Sequence, residues 1–136
     1  MPTTSNGQDY ETAHGEKYFV KPDHRNGGWR SQWAVSATRE VQIFEYSLGQ
    51  GWGDGSVCWG LNLESEKAAI LGTRGEFISK HPRPAANVPW HGYPAQPVPA
   101  HPNDVPPDGL LQNWRSASYV SFTTIKKIHR GTWSLK

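Results

Sequence analysis

The sequence has a single cysteine and a single methionine among its 136 residues. One thiol cannot form an internal disulfide, so the fold has to be held together by its core. Cys58 lies between Val57 and Trp59 in a segment with the composition of a strand, which predicts a buried structural thiol. A nucleophilic role for Cys58 would need a histidine placed beside it by the fold.

Long hydrophobic runs are also missing. No apolar stretch approaches the roughly 18 residues that a membrane-spanning helix needs, and the opening MPTTSNGQDYETAHGEK lacks the apolar block of a signal peptide. We therefore expect a cytoplasmic protein without membrane contact. Hydrophobic residues make up only 35% of the chain, but seven Trp, five Tyr and four Phe supply large side chains for a modest core.

No phosphate-binding loop is present. The stretch GQGWGDGS (49–56) is rich in glycine, but its spacing matches neither GxGxxG nor a Walker loop. We interpret it as a flexible hairpin connection. An exposed Trp52 that contacts a ligand is the alternative.

The six histidines do not have the spacing of metal ligands. None of them forms an HxH or HxxxH pair, and His81, His91 and His101 recur at intervals of ten. Structural zinc sites usually recruit cysteines, of which the chain has one. We predict no metal site and no cofactor.

The pattern of apolar residues predicts an α+β fold with a small antiparallel sheet over about residues 17–80. Residues 1–15 are polar and without periodicity, which predicts a flexible N-terminal arm before a single domain over residues 16–136. Segments with alternating or β-branched composition predict strands or hairpins at 17–20, 32–37, 39–48, 57–63, 66–72 and 75–80. In this interpretation GTRG joins the last two and places Arg74 at an exposed tip; residues 64–71 could instead form a helical turn.

Proline is concentrated in one segment. Nine of the eleven prolines lie between His81 and Pro107. Because proline lacks an amide donor and fixes φ, this density predicts a long, extended loop over residues 81–107. Long loops in compact domains are often binding elements or linkers.

The C-terminal segment lacks carboxylates. Asp108 is the last acidic residue, so residues 109–136 form a basic segment. Residues 106–115 predict a short helix with Leu110, Leu111 and Trp114 on one face. At 118–130, Ser121 as an N-cap and Gly131 as a stop favour a second helix over the alternating strand that competes with it.

These features favour a small non-catalytic binding module. Aromatic side chains can stack on bases or on a protein partner, and basic side chains can contact phosphates. The expected partner is a nucleic acid or a protein complex associated with it, and the size and composition are comparable with bacterial or phage accessory proteins that act in defence or counter-defence. No oligomeric state is predicted. The candidate binding residues are Trp52, Arg74, Trp90, His91, Tyr93, Arg115, Lys126, Lys127 and Arg130.

An enzymatic alternative is a metal-independent ribonuclease or toxin. Such an enzyme needs an acid, a base and a cation that stabilises charge on phosphorus. His91, His81 and Tyr93 lie in the proline-rich loop, and the C-terminal basic residues would join them if the loop folded back onto that helix. Almost any chain with six histidines offers such a set.

Overall fold

The computed structural model describes residues 9–98 and 101–133. Its described part contains three helices and two antiparallel sheets, so the predicted α+β class is confirmed. The helices are α1 (Ala37–Gln50), α2 (Asp108–Ser116) and α3 (Phe122–His129). The strands are β1 (Asp9–Glu11), β2 (Lys17–Phe19), β3 (Val57–Glu64), β4 (Lys67–Ala69), β5 (Ile78–Pro82) and β6 (Tyr93–Ala95).

The larger sheet has the order β4-β3-β5-β6 and is covered on both faces around β3. Successive side chains of a strand point to opposite faces. Trp59 and Leu61 accordingly pack with Leu111 of α2 and Ile125 of α3 in one core cluster. Cys58 packs with α1 in a second cluster. Helices on both faces explain why β3 is an almost continuous apolar run.

The strand predicted at residues 39–48 is wrong, because this segment is the middle of α1. Ser36 caps the helix by accepting a hydrogen bond from the Arg39 amide, and Gly51 ends it in the left-handed conformation at φ 71°. The strand predicted at 32–37 is wrong as well. Trp33 forms only an isolated bridge with Gly72 before α1 begins.

The glycine-rich stretch follows a helix and not the predicted strand, but it does reverse the chain as a short hairpin: Gly53 and Cys58 form an isolated antiparallel bridge, and the Asp54 amide donates to the Val57 carbonyl. Asp54 closes a tight turn, since one carboxylate oxygen accepts from the amides of Ser56 and Val57. Trp52 is 3% exposed and meets Trp114 edge to face at 5.5 Å. The alternative of an exposed Trp52 is therefore overturned.

The hairpins pair differently from the prediction. β4 pairs with β3 through a turn at Ser65 and Glu66, both at positive φ, and β5 pairs with the other edge of β3. Residues 66–72 and 75–80, predicted to pair, are joined by backbone hydrogen bonds from the amides of Leu71 and Gly72 to the Glu76 carbonyl and from the Gly75 amide to the Gly72 carbonyl. The predicted strand at 17–20 is confirmed as β2, which pairs with β1.

The proline-rich segment is not a continuous loop. β5 extends to Pro82, β6 lies within the segment, and Pro102–Asp104 forms a 3-10 turn. β6 is an edge strand of the larger sheet. Pro94 has no amide hydrogen to donate, and an edge strand tolerates this because only one of its sides pairs with another strand. Residues 99 and 100 lie outside the described part.

The predicted C-terminal helices are present as α2 and α3. The Ser121 hydroxyl accepts from the Thr124 amide at 3.0 Å, as expected for an N-cap. Residues 134–136 of the basic segment and residues 1–8 of the predicted arm lie outside the described residues. Within that arm, residues 9–11 form β1.

Candidate functional site

An open cleft of about 650 Å³ lies where the segment after β2 meets the turn before β5 and the segment around β6. This volume is within the range of about 300–1,000 Å³ that is usual for ligand sites. The chain brings three distant segments together there. The lining residues are Lys21, His24, Trp29, Arg30, Ser31, Arg74, Lys80, His91, Tyr93, Pro94, Gln96, His101, Pro102, Asn103 and Asp104.

The cleft is cationic. Its lining includes four side chains of fixed positive charge, Lys21, Arg30, Arg74 and Lys80, against the single carboxylate of Asp104. Its Oδ1 accepts from the neutral Tyr93 hydroxyl at 2.9 Å, which leaves its charge in place, and the lining still has an excess of positive charge. A concave surface lined by charge of one sign attracts ligands of the opposite sign. The cleft therefore favours an anion.

Gln32 holds the backbone of the segment that forms one wall of the cleft. Its buried side-chain amide donates to the carbonyls of Asp23, Gly27 and Arg30, and its side-chain oxygen accepts from the Gly27 amide. Gly27 and Gly28 both adopt positive φ, a conformation that side chains other than glycine disfavour. The segment is thus shaped by specific hydrogen bonds.

Trp29 and Arg30 project from this segment. Trp29 is 79% exposed, and the Arg30 guanidinium lies 4.9 Å from the centre of the Trp29 ring. Arg74 crosses from the turn before β5 and donates through Nη2 to the Trp29 carbonyl at 2.9 Å. This bond engages a neutral acceptor, so the charge of Arg74 is not neutralised by it.

Lys80 lies on β5 and is also paired with neutral groups. Its Nζ donates to the Asn103 carbonyl at 2.7 Å and lies 5.5 Å from the centre of the Trp59 ring. A lysine with no carboxylate among these partners keeps its full charge for an incoming anion.

His24 reaches the cleft from the 3-10 turn Pro22–His24. Its ring stacks on Tyr93 with 5.3 Å between ring centres, and its Nδ1 lies 2.8 Å from the Ser31 carbonyl oxygen. Because a carbonyl only accepts, Nδ1 carries the hydrogen and Nε2 keeps its lone pair. Burial lowers the pKa of His24, and the nearby charge of Arg30 lowers it further.

His91 and Tyr93 complete the wall formed by the segment around β6. Burial, together with the charge of Lys21, lowers the pKa of His91 to about 4. Burial also raises the pKa of Tyr93 well above its usual value, and the adjacent Asp104 reinforces the effect. At neutral pH both side chains are uncharged. They contribute hydrogen bonds and ring surface to the cleft.

His81, the second histidine of the catalytic alternative, is fully buried. Its Nε2 lies 2.7 Å from the Ser79 hydroxyl and its Nδ1 3.2 Å from the Tyr18 hydroxyl, which itself donates to Glu40. Burial lowers the pKa of His81 to about 3. The ring is a neutral member of an internal polar network and does not line the cleft.

Trp90 lies in the core. It is 2% exposed, packs on Phe44 at 5.3 Å, and donates from Nε1 to Glu16 at 2.9 Å. Arg83 covers its ring at 4.6 Å. The ring is consequently not available for stacking on a ligand, unlike its neighbour His91.

The basic residues of the C-terminal segment lie outside the cleft lining. Arg115 and Lys126 both pack against the ring of Phe122, at 4.4 Å and 5.4 Å from its centre. Arg130 is exposed at the end of α3, and Lys127 is half-buried. Arg74, His91 and Tyr93 are therefore the predicted residues that the fold brings together.

Five basic or aromatic residues of the cleft are not among the candidate binding residues named from the sequence. The stretch PDHRNGGWR (22–30), which follows the predicted strand at 17–20, has the composition of a turn. The one feature that could have drawn attention to it is a tryptophan followed by arginine directly after two glycines, where no strand or helix can bury the ring. The five residues are Lys21, His24, Trp29, Arg30 and Lys80.

No protein-family model, curated protein or solved structure matches the chain, so the cleft has to be interpreted from its own geometry. Among residues 9–98 and 101–133, no three His, Cys, Asp or Glu side chains are grouped so that they could hold a metal ion. Within the same residues, no helix has the length and apolar character needed to cross a bilayer.

Proposed function

We propose that the protein is a cytoplasmic, non-catalytic binding module that holds nucleic acid in the cationic cleft. The observation that carries the proposal is the convergence of Lys21, Arg30, Arg74 and Lys80 around a cavity whose lining contains one carboxylate, that of Asp104. Phosphates are the anions that such clusters of lysine and arginine bind in nucleic-acid complexes.

The aromatic rings of the cleft favour nucleic acid over a simple inorganic anion. Trp29 presents an exposed flat surface among the cations, and the half-buried Tyr93, stacked on the buried His24, lines the same cleft. Bases stack on such rings while the charged side chains follow the backbone. The open form of the cleft also allows a chain to pass through it.

Binding of a labelled oligonucleotide, followed by fluorescence anisotropy, tests the proposal. The variant R74E/K80E should weaken binding by at least tenfold at moderate salt, because two phosphate contacts become repulsive. The control K17E/K67E makes the same change in net charge at two exposed strand residues outside the cleft lining. It should have a much smaller effect.

Salt dependence separates nucleic acid from a protein partner. Affinity for the oligonucleotide should fall steeply between about 0.05 M and 0.2 M salt, because phosphate contacts release counterions. Equal losses in the two charge-reversal variants would contradict a role for the cleft. Absence of oligonucleotide binding even at low salt would instead favour a protein complex as the partner.

A metal-independent ribonuclease is the second candidate, and the presence of both His24 and His91 in the cleft favours it. The lone pair on Nε2 of His24 could accept the proton of a ribose 2′-hydroxyl, and a bound phosphate would raise the lowered pKa of His91 toward the range of a general acid. Cleavage of RNA in the presence of a chelator, lost in both H24A and H91A, would support this candidate. Intact RNA after prolonged incubation with wild-type protein would overturn it.

A further inference from the structure

We infer that Trp29 is a base-stacking residue and that the nucleic acid bound in the cleft is single-stranded. This inference rests on the proposed function and specifies its ligand. It depends on three observations: the exposure of the Trp29 ring, the rigidity of the backbone that carries it, and the charges arranged around it.

Trp29 differs from the other tryptophans in its exposure. Trp33, Trp52, Trp59, Trp90 and Trp114 are each 6% exposed or less and Trp133 is partly buried against the core, whereas Trp29 is 79% exposed. A chain with few aliphatic residues uses its tryptophans to build the core. An exposed ring at the edge of the cleft therefore contributes nothing comparable to folding, and the part of its surface that Arg30 does not cover is open to a ligand.

The backbone at Trp29 is fixed from two sides. Arg74 donates to the Trp29 carbonyl at 2.9 Å, and Gln32 donates to the carbonyls of Gly27 and Arg30 on either side of it. A ring held on an ordered backbone loses less conformational entropy on binding than one on a free loop. This arrangement suits a binding residue.

The charges near Trp29 suit a single strand. Arg30 packs at 4.9 Å from the ring centre, and Arg74 donates to the backbone carbonyl of the same residue, so one cation lies at the aromatic ring and a second at the backbone that carries it. A single strand presents an unpaired base next to each phosphate and can satisfy both features together. In a duplex the base faces are covered by neighbouring base pairs, so Trp29 could contact only the backbone.

The test uses four fluorescent probes: oligo(dT), oligo(U), an abasic oligomer of the same length and charge, and a duplex of the same length. Wild-type protein should bind both single strands on the order of tenfold more tightly than the abasic oligomer, because stacking adds to the phosphate contacts. W29A should remove that difference and leave the abasic affinity nearly unchanged. W29F should retain part of it.

Phe122 provides the matched control. It is 51% exposed and also has two cationic neighbours, Arg115 and Lys126, but it lies outside the cleft lining. F122A should leave the preference for bases intact. Since the Trp29 and Phe122 rings are both exposed, W29A and F122A should unfold at the same thermal midpoint as the wild type, which circular dichroism checks.

The outcomes separate the inference from the function on which it rests. Equal binding of oligo(dT) and the abasic oligomer, tighter binding of the duplex, or loss of base preference in F122A but not in W29A would overturn the inference and leave the cationic cleft standing. If no probe binds even at low salt, the proposed function fails and the inference fails with it.

Discussion

Gly92 lies against the buried polar network of His81, Tyr18 and Glu40, which leaves no room for a side chain. A Cβ on this residue would collide with Nδ1 of His81 and lie 2.7 Å from the Tyr18 hydroxyl, and both of these side chains are fully buried. We therefore expect Gly92→Ala to lower the free energy of unfolding by about 1–3 kcal/mol, the usual cost of overpacking a core. Urea denaturation measures this change.

The control for Gly92 is Gly109, near the start of α2. A Cβ there meets nothing within 4 Å. Gly109→Ala should leave stability unchanged or raise it by up to about 1 kcal/mol, because alanine favours helix. Equal changes in the free energy of unfolding for the two substitutions would show that His81 and Tyr18 do not exclude a side chain at Gly92.

Glu40 is the carboxylate of the same network. It is 1% exposed and accepts from Arg25 at 2.8 Å and from the Tyr18 hydroxyl. Burial raises its pKa to about 7 even though both partners favour the ionised form. Glu40→Ala, measured at a pH above that value, should cost about 3–5 kcal/mol because the largely buried Arg25 guanidinium loses its carboxylate partner and keeps the neutral Val35 carbonyl.

The exposed carboxylate at Glu64 serves as a comparison for Glu40. Glu64→Ala at the end of β3 should change the free energy of unfolding by less than about 0.5 kcal/mol, as is usual for surface positions. A similarly small loss for Glu40→Ala would mean that Arg25 and Tyr18 find other partners.

Residue types alone could identify part of the site. Arg74, His91 and Tyr93 were found from sequence because they lie in turn-rich or proline-rich segments, where side chains tend to be accessible. Trp90 is among the candidate binding residues as well, because the sequence does not show which way its side chain points. In the structure Trp90 packs on Phe44, whereas its neighbour His91 lines the cleft. Trp29 was missed because nothing local distinguishes an exposed tryptophan from a buried one.

At the scale of elements, α1 shows how a strand and a helix can share one pattern. Val41, Ile43 and the residues after them alternate as in a strand, yet the buried set Glu40, Val41, Ile43, Phe44 and Ser47 has helical spacing. The caps at Ser36 and Gly51 and the need to cover β3 decide the outcome. For α3 the same kind of cap, Ser121, was recognised, and that helix was predicted.

The cap at Ser36 should be measurable. Its hydroxyl accepts from the Arg39 amide at 3.1 Å, so Ser36→Ala leaves that donor without its partner at the start of α1. We expect a loss of about 1 kcal/mol in the free energy of unfolding. Ser116→Ala, at the exposed last residue of α2, should change it by less than about 0.5 kcal/mol; comparable losses would argue against a capping role.

At the scale of the whole molecule, the buried histidine makes stability depend on pH. The pKa of His81 is about 3 in the folded protein against 6.5 without burial, so the unfolded chain binds the extra proton first as the pH falls. The contribution of His81 to stability should therefore be complete above about pH 6.5 and decline below it, by up to about 1.4 kcal/mol per pH unit. His91 acts in the same direction, and the raised pKa of Glu40 acts in the opposite one.

A comparison of slopes isolates the contribution of His81. In His81→Gln the side chain no longer titrates, while Glu40 and His91 remain in both proteins. Urea denaturation between about pH 4 and pH 6.5 should give a slope of stability against pH that is lower in the variant by up to about 1.4 kcal/mol per unit. Equal slopes in the two proteins would mean that His81 has the same pKa in the folded and the unfolded state.

Within the described residues the cleft and α3 are both positively charged, and these two regions should respond differently to salt. K126E/K127E/R130E changes charges outside the cleft lining, so it should weaken oligonucleotide binding only at low salt, where the field of the whole protein reaches the ligand. At about 0.15 M salt, where charges more than about 8 Å apart are largely screened, its affinity should approach that of the wild type. R74E/K80E should remain impaired at both concentrations because direct contacts are lost. Equal impairment of the two variants at the higher salt would place α3 in the interface, as the sequence alone suggested, and would extend the binding surface beyond the cleft.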